Sequence, residues 1–281
     1  MIVDYGSGIM RYCGSKKRFM KELAPILEEN LRDDMVFIDA FGGGMNVVSE
    51  INWPAKIAID NDKYIIDLWT HIRECVMDSS YFDECLTYKF DGIEVGDFGL
   101  PVSLTKETYF DIKNNELNNG KKYPSWLTGY VSTACSYGGG VWKGFANFNE
   151  KKNEDHIKEA YNGIVKQVKN FKFMKETLFE NKSYHNLNIP YYIKAVIYCD
   201  PPYADTVQYR SDFDHKRFWK WVREMSKQGH YVYVSEYNAP EDFECIWSAE
   251  KKDGFGTNIV GKKQNTKIEK LFVQKDSLVL R

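Results

Sequence analysis

Apolar residues in this chain come in short blocks, and the period of each block predicts an element. Val36-Phe37-Ile38-Asp39-Ala40-Phe41 runs into Gly42-Gly43-Gly44, which predicts a buried strand and a tight turn. Ile57-Ala58-Ile59-Asp60 predicts a second strand ending on an acid, and Ala195-Val196-Ile197-Tyr198-Cys199 a third that stops at Asp200. Further strands are predicted over residues 231–235 and near 244–248 and 270–273. Phe19, Leu23, Ile26 and Leu27 have helical spacing across 17–30, with Pro25 placed to kink the helix. Ile65, Leu68, Trp69 and Ile72 predict a helix over 64–76. Residues 154–175 predict another, and 215–227 one more with Asp214 as its N-cap. Strand, glycine turn, helix, strand and acid, in that order, predict a nucleotide-binding βαβ unit. From 79 to 153 the periodicity fades into Gly, Asn, Tyr and Lys, and 136–148 predicts a Gly-rich hairpin or loop carrying aromatics. The expectation is one α/β domain with a mostly parallel sheet, its core formed by 1–78 and 154–281, interrupted by an insertion at 79–153. A connection that long usually carries function.

At 281 residues, 43% of them hydrophobic, the chain has material for such a core. No run approaches the roughly 20 apolar residues that cross a bilayer, and the N-terminal stretch lacks a signal peptide's apolar centre. No membrane contact and a cytoplasmic location, in a bacterial or phage-infected cell, are therefore expected. Cys13, Cys75, Cys85, Cys135, Cys199 and Cys245 form no C-x-x-C pair, which argues against a zinc site and a disulfide framework. The net charge of −2 hides an asymmetry: residues 74–99 hold seven acids and one lysine, and residues 251–275 hold seven lysines and two acids. The basic segment suits a polyanion on one face, and equally a solvated loop.

The three glycines let a ligand approach the backbone, at a turn expected to feed a helix N-terminus. Asp60, about 20 residues on, stands where such units place an acid for ribose hydroxyls. NAD, FAD and S-adenosylmethionine all use this arrangement. Met45-Asn46-Val47-Val48 follows Gly44, so the G-x-G-x-x-G fingerprint for a diphosphate is missing and S-adenosylmethionine gains weight. A plain tight turn remains the competing reading.

Asp200-Pro201-Pro202-Tyr203 ends the third strand. An exocyclic aromatic amine is a poor nucleophile because its lone pair is delocalised. Acceptors beside its two hydrogens favour the shift toward sp³ that an in-line attack requires. Asp200 supplies a carboxylate and the Pro201 carbonyl a second acceptor. The prolines stiffen the turn and remove its N–H groups, and Tyr203 can stack on a flat base. A base inside a duplex would have to be flipped out to reach it. An ordinary proline turn after a strand is the alternative.

These motifs together resemble the D12 class of N6-adenine DNA methyltransferases, the Dam-like family, and especially its phage-type members. Tyr12-Cys13-Gly14-Ser15-Lys16 resembles the family's N-terminal motif, whose aromatic and lysine contact S-adenosylmethionine. Phe41-Gly42-Gly43-Gly44 resembles its cofactor glycine motif, Asp60 its ribose acid, and Asp200 to Tyr203 its catalytic D-P-P-Y. Residues 213–243 are similar to phage-type members throughout. The resemblance implies a Rossmann-like, S-adenosylmethionine-dependent fold with an inserted target-recognition domain. It also implies methyl transfer to N6 of a flipped adenine in double-stranded DNA, leaving S-adenosylhomocysteine. No metal is expected, and the enzyme would be a monomer, or a dimer on DNA. The cofactor residues it implies are Tyr12, Gly14, Ser15, Lys16, Asp39, Phe41, Gly42, Gly43, Gly44, Asp60, Asn61, Tyr184 and Asp200, with Lys16 at the cofactor's carboxylate. Asp200, Pro201, Pro202 and Tyr203 would carry the chemistry.

Two departures stand out. Ser183-Tyr184 occupies the place of an Asp-aromatic pair, and the insertion lacks the family's arginine-bearing hairpin, for which Trp142 and Lys143 would substitute. DNA contact is expected from Tyr137, Trp142, Lys143, Lys262 and Lys263, together with Lys251 and Lys252; Tyr137 and Trp142 have insertion core as the competing reading. The rivals are the same fold acting on RNA, cytosine or a protein amide, and a decayed DNA-binding module. Asp200 at the head of its motif favours adenine, and the intact motifs disfavour decay.

Overall fold

The computed structural model describes residues 10, 12–146, 155–169, 171–203, 213–251 and 267–278. The chain enters through a 3-10 turn at Lys17–Phe19 and α1 (Met20–Glu28), which carries Pro25 inside it. β1 (Met35–Asp39) and β2 (Lys56–Asp60) lie parallel. The expected helix between them is absent: among the described residues, 40–55 form turns and one 3-10 helix at Val48–Glu50. Gly43 (φ +46°) and Met45 (φ +56°) sit in the left-handed region, which breaks a right-handed helix at its start. The unit is thus strand, turn, strand, with no helix N-terminus at the glycines.

α2 (Lys63–Met77) follows, capped by Asp62, which accepts from Tyr64 N at 3.0 Å. The next segment holds α3 (Ser79–Leu86), an antiparallel hairpin of β3 (Ile93–Val95) and β4 (Pro101–Leu104), α4 (Lys106–Leu117) and α5 (Ser125–Thr133). A bridge between Ser136 and Phe145 closes the expected glycine-rich loop. The long helix expected over 154–175 is two: α6 (His156–Val168) and α7 (Phe171–Glu176). β5 (Thr177–Asn181), β6 (Lys194–Cys199), α8 (His215–Lys227), β7 (Tyr231–Glu236), β8 (Phe243–Lys251), β9 (Lys267–Gln274) and α9 (Lys275–Leu278) complete the described chain.

Seven strands form one sheet in the order β5-β2-β1-β6-β7-β9-β8. The first five are parallel, and β9 is antiparallel to both β7 and β8. Because successive side chains point to opposite faces, β6 divides its residues between two cores. Val196 and Tyr198 join the core that also contains residues of α1, α2, α5 and α6. Ala195, Ile197 and Cys199 join the other, with Phe218, Trp221 and Val222 of α8. Burial on both faces explains why these strands read as continuous apolar runs.

Residues 79–146 pack onto the sheet domain. α5 is buried from Trp126 to Thr133, and a Cβ added at Gly129 would lie 2.1 Å from the Tyr64 carbonyl oxygen of α2. Glycine is therefore required there for α5 to seat against α2.

Candidate active site

β1, β2 and β6 end side by side, and their C-terminal ends carry Asp39, Asp60 and Asp200. A crevice at the carboxyl ends of parallel strands is where such sheets bind ligands, and here it is a cleft of about 560 Å³. Each of the thirteen residues expected at a cofactor lines it: Tyr12, Gly14, Ser15, Lys16, Asp39, Phe41, Gly42, Gly43, Gly44, Asp60, Asn61, Tyr184 and Asp200. Pro202 lines it as well, while Pro201 and Tyr203 are buried next to it.

The glycine turn does two jobs. Gly43 N–H donates to the Asp60 carboxylate at 2.9 Å, and Asp62 N–H donates to it at 2.8 Å, which fixes the acid at the cleft. Gly43 and Gly44 also let the Tyr12 side chain lie against the backbone; an added Cβ would meet its ring at 2.6 Å from Gly43 and its Cβ at 2.7 Å from Gly44. Phe41 stacks on Tyr184 with centroids 5.4 Å apart, giving the cleft an aromatic wall. Ser183 Oγ lies 2.8 Å from His185 Nδ1, so the serine departure brings a histidine to the same wall. Burial pushes the Asp39 carboxyl up to about 7, against the N–H of Phe41, and the Asp60 carboxyl up to about 6.

Lys16 has its own partners within the chain. Its ammonium is buried and donates to both Asp200 oxygens at 2.7 Å and to the Gly14 carbonyl at 3.1 Å. It also lies over the Tyr203 ring, 4.9 Å from the centroid. A buried cation needs a close carboxylate, and Asp200 supplies one from within the chain. Burial raises the Asp200 carboxyl above its usual value, and Lys16 opposes the shift. Tyr203 Oη donates to Glu269 Oε2 at 2.7 Å. Sequence reasoning missed Glu269, and also Asp62, Lys182, His185, Phe213, Asp214 and Arg217, which line the cleft.

The residues expected at DNA divide. Tyr137 is 52% exposed, and Lys143 is exposed beside it. Trp142 is not free to wedge into a duplex: Nε1 donates to Glu116 at 2.8 Å and the ring packs edge-on against buried Tyr109. Lys252, Lys262 and Lys263 lie outside the described residues. Cys13 N–H donates to the Gly139 carbonyl at 3.1 Å and Val141 reaches the cleft, so this loop and the cleft are physically joined.

A family model described as D12 class N6 adenine-specific DNA methyltransferase matches residues 12–268. The chain belongs to this family. This D12 methyltransferase is therefore an enzyme that methylates adenine N6 in DNA. No curated protein sequence matches it. Among the described residues, no helix is long and apolar enough to cross a membrane.

The enzyme has a second polar cluster. Cys75 and Cys85, separate in sequence, bring their sulfurs to 3.3 Å beside His71, within metal-ligand range of one another. His71 Nε2 lies 2.8 Å from the Phe98 carbonyl, which can only accept, so Nε2 holds the proton and Nδ1 accepts from Tyr81 Oη at 2.9 Å. The lone pair a metal would need is already used. Burial pushes this histidine down to about 4, keeping it neutral, and pushes the Cys75 thiol up.

Proposed function

We propose that the cleft holds S-adenosylmethionine and that Asp200 to Tyr203 present N6 of a flipped adenine to it. One observation carries the reading: the glycine turn with its tethered acid, and Asp200 and Pro202 of the amine-acceptor turn, face the same cleft. The donor set supports the fit. Asp60 offers a carboxylate to ribose hydroxyls, and Phe41 and Tyr184 offer aromatic faces to a purine. The cleft volume lies in the range of small-molecule sites.

When bound, S-adenosylmethionine supplies a methyl group activated by a sulfonium. The chain's part is to orient and desolvate the amine. Asp200 accepts one amine hydrogen and the Pro201 carbonyl the other, which frees the nitrogen lone pair for in-line attack. Tyr203 supports the base by stacking. An amine reaching Asp200 displaces Lys16 from one carboxylate oxygen, and the ammonium keeps the Gly14 carbonyl and Glu269 close by. Asp200 acts as a hydrogen-bond acceptor for the amine and need not be a strong base; the proton displaced on methylation would pass to solvent. Positioning supplies most of the acceleration. Segment 79–153, with Tyr137 and Lys143 exposed at its loop, reads double-stranded DNA between the core segments 1–78 and 154–281. The enzyme works as a monomer, or as a dimer on DNA, in the cytoplasm.

The test is transfer of labelled methyl from S-adenosylmethionine to unmethylated genomic DNA, with the product nucleoside identified. The expected result is N6-methyladenine with wild type and none with Asp200→Ala. Label entering RNA or protein instead of DNA would overturn the reading.

A further inference from the structure

We propose that Glu269 is a positioning residue for methyl transfer, holding the Tyr203 phenol and the Lys16 ammonium so that the tyrosine ring and Asp200 keep one mutual geometry. The proposal rests on the reading of Asp200 to Tyr203 given above.

Glu269 lies on β9 at an inward position, on the same face as Leu271 and Val273. All three are buried, and Glu269 is only 1% exposed. An apolar residue would pack there at no electrostatic cost, whereas a carboxylate must recover its lost hydration from partners. Tyr203 donates its phenol hydrogen to Oε2 at 2.7 Å, and Lys16 Nζ lies 3.9 Å from the same oxygen. Glu269 therefore ties the far strand β9 to the turn that follows β6 and to the lysine that precedes α1.

This arrangement has two consequences. The prolines fix the backbone of the turn but not the Tyr203 ring; Glu269 at the phenol and Tyr237 edge-on at 4.6 Å orient it. When an amine takes an Asp200 oxygen, Lys16 retains a buried counter-charge in Glu269. Asp200 itself is faced by Lys16, by Glu269 from β9, by Tyr203 from its own turn, by Asp39 from β1, and by Tyr198 and Cys199 from β6. Glu269 raises the Asp200 carboxyl and Lys16 lowers it.

The experiment is single-turnover methyl transfer by the full chain to unmethylated genomic DNA across the acid limb of the pH profile. Wild type, Glu269→Ala, Glu269→Gln and Tyr203→Phe are compared, with Asp200→Ala as control. Glu269→Ala should slow transfer by about 10- to 100-fold, the scale of a misplaced reacting group, with S-adenosylmethionine affinity unchanged. Glu269→Gln still accepts from the phenol, so it should recover most of the rate. Having lost a negative charge near Asp200, it should also shift the acid limb to lower pH. Tyr203→Phe should add little to the loss in Glu269→Ala. Glutamate variants that only melt earlier, with rates and acid limb at wild-type values, would overturn the inference while leaving the function intact. Failure of wild type to methylate any DNA adenine would overturn both.

Discussion

Two buried polar clusters in this enzyme meet burial in opposite ways. His71, Cys75 and Cys85 close their hydrogen bonds among themselves, Tyr81 and the Phe98 carbonyl, and the imidazole stacks on Trp126 at 4.0 Å. The cluster is neutral and buried. Among the described residues, Lys16, Asp200 and Glu269 set one cation against two carboxylates, with Asp39 nearby, at the edge of an open cleft. A self-satisfied neutral cluster is packing. A charged one beside a cavity can meet a ligand, and perturbed carboxyls there point to function.

The comparison can be broken from either side. The largest effect should come from Gly129→Ala, at the α2–α5 contact near the packed cluster. Its methyl would overlap the Tyr64 carbonyl, and the loss should reach about 3 kcal/mol or more by chemical denaturation. Lys16→Met should cost about 2–3 kcal/mol by stranding two carboxylates. It should also push Asp200 further up, so the acid limb of methyl transfer moves to higher pH. Cys75→Ser should cost about 1–2 kcal/mol through an imperfectly paired buried hydroxyl, leaving transfer intact, and added Zn²⁺ should not shift the Tm. A zinc-dependent Tm would show that the His71 cluster is a metal site.

The smallest effect is a pH slope. Asp39 is pushed up to about 7 in the folded chain, above its unfolded value of about 4. The folded state therefore binds the extra proton, and this group's contribution to stability falls as pH rises between those values. Asp39→Asn carries no such proton. Its Tm relative to wild type should rise from pH 5 toward neutrality, and a constant difference would contradict the shift.

Much of the cleft was legible in the sequence because its residues follow strand ends. Apolar runs terminating on Asp39, Asp60 and Asp200 announce the carboxyl edge of a sheet, and glycines and prolines mark the turns. Other features left weaker signals. α5, buried from Trp126 to Thr133, has no clear amphipathic period, so its sequence does not announce a helix. The helix expected after Gly44 fails because two left-handed residues intervene, and φ is not written in Met45's identity. Glu269 was hidden in a lysine-rich segment that suggested DNA contact. Its signal was alternation: with Leu271 and Val273 facing inward, a charged residue at 269 belongs to the same face. Trp142 looked like a groove-binding aromatic, but its partners Glu116 and Tyr109 are distant in sequence and only folding brings them to it.

The central claim is that one cleft divides its labour, with Asp60 holding the cofactor and Asp200 the target amine. Calorimetric titration of S-adenosylmethionine into wild type, Asp60→Ala and Asp200→Ala, with methyl transfer measured on the same samples, tests it most directly. The account predicts weakened cofactor binding in Asp60→Ala, near-normal binding in Asp200→Ala, and lost transfer in Asp200→Ala by about 10²-fold or more. Full binding by Asp60→Ala together with active transfer by Asp200→Ala would contradict it.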